Sequence, residues 1–251
     1  MSLLDSFAKK KILNTAIAQV AKARSNEGKT AEQMFKSAYR DFAEALVGDA
    51  LRADILYNWG FALLHHAKAE TDEKKAADLY DEAISKFTFC LLLNPSYLGA
   101  AINGGVAYMD LARLIAADAD DGLYECAKEF FTKANNIQAG SASYNLACIY
   151  GLHDDGDACL KALETAKSRG FLPDAADILA DEDLDKVKDQ TWFVEFIASV
   201  EPASKPVEES ADVDTEKAES TEETALQQAT TEDTETVSED IIKEDKKESN
   251  D

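Results

Sequence analysis

Residues 57–62 read YNWGFA, and three other segments of the chain repeat the pattern of this hexapeptide. They are LNTAIA, INGGVA and YNLACI, which begin at residues 13, 102 and 144. Each segment has an asparagine in second place, and these asparagines are spaced by 44, 45 and 42 residues: Asn14, Asn58, Asn103 and Asn145. A period of this length indicates a repeat protein, whose units bury their apolar faces against their neighbours.

A second pattern, A-x3-F-x2-A or a close variant of it, follows each of these four segments. Its twelve positions are Ala38, Phe42, Ala45, Ala83, Phe87, Cys90, Ala127, Phe131, Ala134, Cys159, Leu163 and Ala166. Apolar residues at this spacing lie on one face of a helix. We therefore predict that each unit is a pair of antiparallel helices.

The combined patterns resemble the tetratricopeptide repeat over about residues 8–170. The resemblance rests on the two patterns above, on the Asn94-Pro95 pair and on small residues at Ala16, Gly60, Gly105 and Ala147. It implies an all-α, right-handed solenoid of helix hairpins, in which the small residues allow close helix approach. The units would span about residues 3–50, 51–97, 98–140 and 141–170.

The first three units are longer than the usual repeat. About ten residues are added between the small residue and the second-helix pattern, which is roughly three helical turns shared by two helices. The sequence Thr30 to Gln33 has the form of a capping box, and we expect a second helix to start there. The fourth unit keeps the usual length.

Two further resemblances concern particular segments. LYNWGFALL, followed by DEAISKFTFCLLLNP, is similar to plant-type mitochondrial import receptors, whose repeats are also lengthened. Residues 144–197 resemble the closing unit of bacterial tetratricopeptide proteins. We therefore expect residues 171–200 to form a helical cap, with its apolar side chains over the open end of the stack: Trp192, Phe193, Phe196 and Ile197.

The net charge of −23 is unevenly distributed. Residues 201–251 contain 18 Asp or Glu and 5 Lys, and they lack aromatic residues. This composition predicts a disordered acidic tail. Because the net charge of the chain is strongly negative, we expect no nucleic-acid partner.

The first helix pattern is basic, with Lys9, Lys10, Lys11, Lys22 and Arg24. A transit peptide or a membrane-surface helix would have such a pattern, but the stretch also fits the first repeat, which we favour. No run of eighteen apolar residues occurs, so we expect no membrane-spanning helix. We expect a cytoplasmic protein and a monomer rather than a homo-oligomer.

Catalytic and metal-binding motifs are not found in the sequence. The four cysteines fall at helical positions that suit small apolar residues, and we expect buried free thiols. His65, His66 and His153 have no further ligand at metal-site spacing, so we interpret them as surface residues. We therefore predict a protein that is not an enzyme and has no cofactor.

The resemblance places a peptide-binding groove on the first helices of the units. It implies that Asn14, Asn58, Asn103 and Asn145 grip the backbone of an extended peptide, since a carboxamide both donates and accepts. The alternative is that these amides bond to local backbone or to water. The apolar groove positions are Leu13, Ile17, Val20, Tyr57, Phe61, Leu64, Ile102, Val106, Met109, Tyr144, Cys148 and Gly151.

Such a lining favours a hydrophobic or amphipathic partner segment. We predict a non-catalytic adaptor or co-chaperone-like module that binds such a protein segment. Two alternatives remain: a permanent scaffold subunit of a complex, and a targeting-peptide binder of the import-receptor type.

Overall fold

A computed structural model describes residues 3–47 and 52–200, with side chains from residue 7 onward. All regular secondary structure in these residues is helical. The helices are α1 (Leu3–Arg24), α2 (Gly28–Leu46), α3 (Ala53–Ala69), α4 (Glu73–Leu93), α5 (Leu98–Leu114), α6 (Gly122–Ile137), α7 (Ser143–Leu152), α8 (Gly156–Arg169), α9 (Ala175–Ala180) and α10 (Thr191–Val200), with a 3-10 turn at Glu182–Leu184. The predicted acidic tail lies outside the described residues.

Consecutive helices pack in pairs: α1 with α2, α3 with α4, α5 with α6 and α7 with α8. The pairs also contact one another, through α2 and α3, α4 and α5, and α6 and α7. This arrangement confirms the predicted all-helical solenoid. The first six helices have 16 to 22 residues, whereas α7 and α8 have 10 and 14.

The second-helix pattern forms the centre of the stack, and all twelve of its residues are fully buried. The small first-helix residues are explained by the same contacts. A Cβ atom on Gly60 would lie 2.8 Å from the Phe87 ring, and one on Gly105 would lie 2.5 Å from the Phe131 ring. Phe87 of α4 and Phe131 of α6 therefore each need a small residue opposite, because interiors have no spare volume.

Helix starts follow local side-chain chemistry at several turns. Asp72, Asp121 and Asp155 cap α4, α6 and α8 by accepting hydrogen bonds from backbone N–H groups. The capping box predicted at Thr30 is wrong, because α2 begins two residues earlier, at Gly28, after Glu27. Thr30 therefore lies within the first turn of the helix.

The helical cap closes the stack over α7 and α8. Phe193, Phe196 and Ile197 of α10 are buried, and Trp192 packs against the same cluster. Ile178 and Leu184, from the segment between α8 and α10, are also fully buried there. Such a cover buries the apolar face of α7 and α8 that points away from the preceding repeat.

Candidate peptide-binding face

The four asparagines lie on the side of each first helix that points away from the second helix. Each precedes the small residue of its unit by two positions, and two residues turn a helix by about 200°. Gly60 and Gly105 face Phe87 and Phe131, so Asn58 and Asn103 lie on the opposite side. We call this side of α1, α3, α5 and α7, marked by the four asparagines, the inner face.

Neighbouring helices meet along the inner face. The Arg24 guanidinium of α1 lies 5.5 Å from the centre of the Phe61 ring of α3. Lys68 Nζ of α3 lies 3.6 Å from Asp110 Oδ2 of α5. These contacts make α1, α3 and α5 one continuous surface.

The four asparagines have four different environments. Asn14 is exposed, and Asn145 is half-buried. Asn58 is also half-buried, and its Nδ2 donates to the Asp54 carbonyl at 2.8 Å, one turn back in the same helix. Asn103 is buried and its Nδ2 donates to the Tyr57 hydroxyl at 3.3 Å. A ladder of four equal peptide contacts would require four accessible amides, but Asn103 is buried and only Asn14 is exposed.

Most of the apolar groove candidates on α3 are covered by other side chains. Tyr57, Phe61 and Leu64 are buried, as is Met109 of α5. The Tyr57 ring lies 4.8 Å from the ring of Tyr97, measured between centroids. These side chains therefore pack beneath the inner face and present little accessible surface to a ligand.

Ile102 and Val106 of α5 are both half-buried. They are four residues apart and so lie one turn apart on the same side of the helix. Of the apolar candidates on α3 and α5, they are the only two that are not buried, and Ile17 of α1 is half-buried as well. Together with Asn14 and Asn58, they form the accessible part of the predicted site.

The inner face of α7 is covered by the chain itself. The Tyr144 hydroxyl donates to Asp181 Oδ2 at 2.8 Å, and Cys148 Sγ lies 3.4 Å from the same oxygen. A Cβ atom on Gly151 would lie 2.8 Å from the Asp183 carbonyl oxygen. The segment between α8 and α10 thus occupies the position where a ligand of the fourth unit was expected.

A charged contact joins this segment to α5. The Arg113 guanidinium pairs with both carboxylate oxygens of Asp183, a buried residue, and its Nη1 also lies 2.8 Å from Asp110 Oδ1. Burial alone would lower the pKa of Arg113, but the hydrogen bond to Asp183 and its charge raise it above the usual range. The contact links residues 70 positions apart.

Cys148, Asp181 and Asp183 place three potential metal ligand atoms within 4.8 Å of one another. Their contacts do not fit a metal centre. Asp183 is held by a guanidinium, and Asp181 accepts from Tyr144. Burial raises the pKa of the Cys148 thiol well above its usual value, which disfavours the thiolate that metals bind.

Two histidines differ from the expectation of surface residues. His66 is buried, stacks on Phe35 with ring centroids 4.7 Å apart, and has its Nδ1 2.9 Å from the Tyr39 hydroxyl. His65 is half-buried beside Phe61. Burial, together with the charges of Arg24 and Lys68, lowers the pKa of His65 to about 3. The surface interpretation is therefore wrong for both residues, and it holds for His153, which is exposed.

An exposed apolar group on α4 was missed in the sequence. Phe89, Leu92 and Leu93 are 57, 70 and 38% exposed. The signal was present in FTFCLLL, residues 87–93, because a helix that buries one face cannot bury seven residues that are nearly all apolar. Phe87, Cys90 and Leu91 take the buried side.

Residues 29–149 match the family model of the plant specific mitochondrial import receptor subunit TOM20. The matched range is just under half of the chain and extends from the start of α2 into α7. It confirms the resemblance to import receptors seen in the sequence and supports a protein-binding role. No curated protein matches the chain.

The match contradicts the prediction of a cytoplasmic protein, because the matching family is a mitochondrial import receptor. Among the described helices, none combines the length and apolar character needed to cross a bilayer.

Proposed function

We propose that the protein is a non-catalytic receptor module that binds amphipathic targeting peptides on the inner face of α1, α3 and α5, and that it works at the mitochondrial surface. The family match over residues 29–149 carries this proposal. The accessible apolar pair Ile102 and Val106 supports it, since an amphipathic helix needs an apolar strip on its receptor.

The charge of the protein favours basic peptides. With a net charge of −23, the chain attracts cationic segments over distances of about a Debye length. Close contact on the inner face depends on apolar and amide groups instead, because the charged groups Lys68, Asp110 and Arg113 are already paired with one another or with Asp183. The charge of the protein would therefore set the rate at which basic peptides associate. Contacts with Ile102 and Val106 would set the rate at which they dissociate.

The test is fluorescence anisotropy with a labelled basic amphipathic peptide and a scrambled peptide of the same composition. The amphipathic peptide should bind more tightly. Val106→Asp should weaken binding at least about tenfold, because desolvating a carboxylate against an apolar surface costs more than the roughly 1.4 kcal/mol of a tenfold change.

The matched control is Val194→Asp, which places the same change on an exposed site of α10. It should leave peptide affinity unchanged. Equal affinities for the amphipathic and scrambled peptides, or equal effects of the two variants, would remove the inner face as the binding site.

Peptide charge separates this function from that of a general adaptor. An adaptor for hydrophobic segments should bind a neutral amphipathic peptide as well as a basic one. The permanent-scaffold alternative predicts a stable oligomer of the pure protein, which sedimentation at micromolar concentration would detect. A monomer with salt-sensitive preference for the basic peptide is the result expected of a targeting-peptide receptor.

A further inference from the structure

The start of α1 and the ends of α2 and α4 lie at the same end of the helix stack. Lys9 Nζ donates to the carbonyl of Val47, the C-cap residue of α2, at 2.6 Å. The Trp59 ring of α3 lies between α2 and α4, with the Phe42 ring at 6.3 Å and Lys86 Nζ at 4.5 Å from its centroid. Both helices run antiparallel to α3, so their last turns lie beside its first turn.

This end of the stack carries most of the exposed large apolar side chains. Eight such residues occur among those described, and five of them are at this end: Phe7, Val47, Phe89, Leu92 and Leu93. They come from three different helices and project from the first turns of α1, the C-cap of α2 and the last two turns of α4. We call these five residues the end patch.

The α4 part of the end patch lies in a stretch of the sequence without charged residues. Residues 87–109 contain no charged side chain, although 30% of the chain is charged. Lys10 and Lys11 are exposed near the start of α1. The turns at the other end, which precede α4, α6 and α8, are acidic and exposed: Asp72, Glu73, Asp118, Asp120, Asp154 and Asp155. The first end thus combines apolar side chains with two exposed lysines and the exposed Glu44 of α2. We call the other end, which carries these three acidic turns together with the exposed Lys74 and Lys75, the acidic end.

We propose that the end patch docks on the surface of an anionic lipid bilayer. Apolar side chains beside lysines are the combination that binds membrane interfaces, where the apolar groups enter the headgroup boundary and the cations face anionic lipids. Side chains that project from helix ends suit a planar surface.

This docking would orient the molecule. The acidic end would face away from the bilayer, and the inner face would stand roughly perpendicular to it and stay open to peptides. Docking does not depend on the proposed peptide binding, since none of the end-patch residues belongs to the inner-face set.

The experiment is flotation of the full chain with vesicles of phosphatidylcholine alone and of phosphatidylcholine with an anionic phospholipid. The protein should float with the anionic vesicles, and binding should decrease as salt is added. Leu92→Asp should weaken partitioning roughly tenfold, as expected when a charge replaces an apolar group at the interface. Lys10→Glu with Lys11→Glu should remove the preference for anionic lipid.

Ile115→Asp is the matched control, because Ile115 is also exposed but follows α5 at the acidic end. It should float like the unchanged protein. Failure of the full chain to bind anionic vesicles, or equal losses from Leu92→Asp and Ile115→Asp, would overturn the proposal. The proposal would also be overturned if the protein formed a concentration-dependent oligomer that Leu92→Asp dissociates. The end patch would then be a self-association surface. Leu92→Asp should bind the amphipathic peptide with unchanged affinity in the anisotropy experiment. Lipid docking and peptide binding can therefore be disproved independently.

Discussion

The inner face is open along α1, α3 and α5 and closed along α7. In the open part, Ile102 and Val106 keep accessible surface, and Asn14 is exposed. In the closed part, the chain's own segment contacts Tyr144 and Cys148 through Asp181. The same repeat register thus forms a possible ligand surface in one region and an internal interface in the other.

This difference shows what a repeat register can specify. The register sets the direction in which a side chain points, because the helix period is fixed. Exposure depends instead on what lies in that direction, and this comes from residues far away in the sequence. Asp181 and Asp183 close the fourth unit only because the segment after α8 returns over α7.

The largest expected effect on stability comes from removing a contact that holds the segment between α8 and α10 against the rest of the stack. Arg113→Met should lower the free energy of unfolding by about 2 to 3 kcal/mol, because it leaves the buried Asp183 carboxylate without its guanidinium partner. The expected loss is below that of a fully buried pair, since Arg113 is partly exposed. Urea denaturation measures it.

A double variant shows whether the loss comes from the pair. Arg113→Met combined with Asp183→Asn should be less destabilised than the sum of the single changes, because the second change removes the charge that the first leaves unpaired. Lys68→Met is the control on the open part, where the pair with Asp110 is looser, and it should cost below about 1 kcal/mol. If the effects of the two single changes were additive, the interaction between Arg113 and Asp183 would not stabilise the helical cap.

A smaller effect on stability should distinguish Asn103 from Asn14, which occupy the same position in their repeat units. Asn103→Ala should cost about 1 kcal/mol, because it removes a buried hydrogen bond to Tyr57 and leaves a small cavity. Asn14→Ala should change stability by less than about 0.5 kcal/mol, since Asn14 is exposed. Equal losses in urea denaturation would mean that burial does not distinguish the two units.

The sequence was informative where periodicity decides the outcome. The twelve second-helix positions could be predicted as core, because each unit repeats the same spacing and all become fully buried. The closure of α7 could not, since it depends on a non-periodic segment whose contacts are long-range. Phe87 and Phe89 differ completely in exposure although they are two residues apart, and composition alone does not assign the buried side.

The smallest effect on stability, and the most direct test of the open part, is expected from Asn58→Ala. The change removes a hydrogen bond to the Asp54 carbonyl within α3, but that carbonyl is also available to the helix backbone. Alanine is the better helix former by roughly half a kcal/mol, so stability should stay within about 0.5 kcal/mol.

Affinity for the basic amphipathic peptide should nevertheless fall by about 0.5 to 1.5 kcal/mol, which is the net contribution of one hydrogen bond. The amide of Asn58 is half-buried, and one of its two amide hydrogens and its oxygen remain for a peptide backbone. Thermal unfolding and anisotropy on the same protein give both quantities. Unchanged affinity would show that Asn58 serves only its own helix. A stability loss above about 1 kcal/mol would assign it to the fold, as with Asn103, and the open part would then rest on Ile102 and Val106 alone.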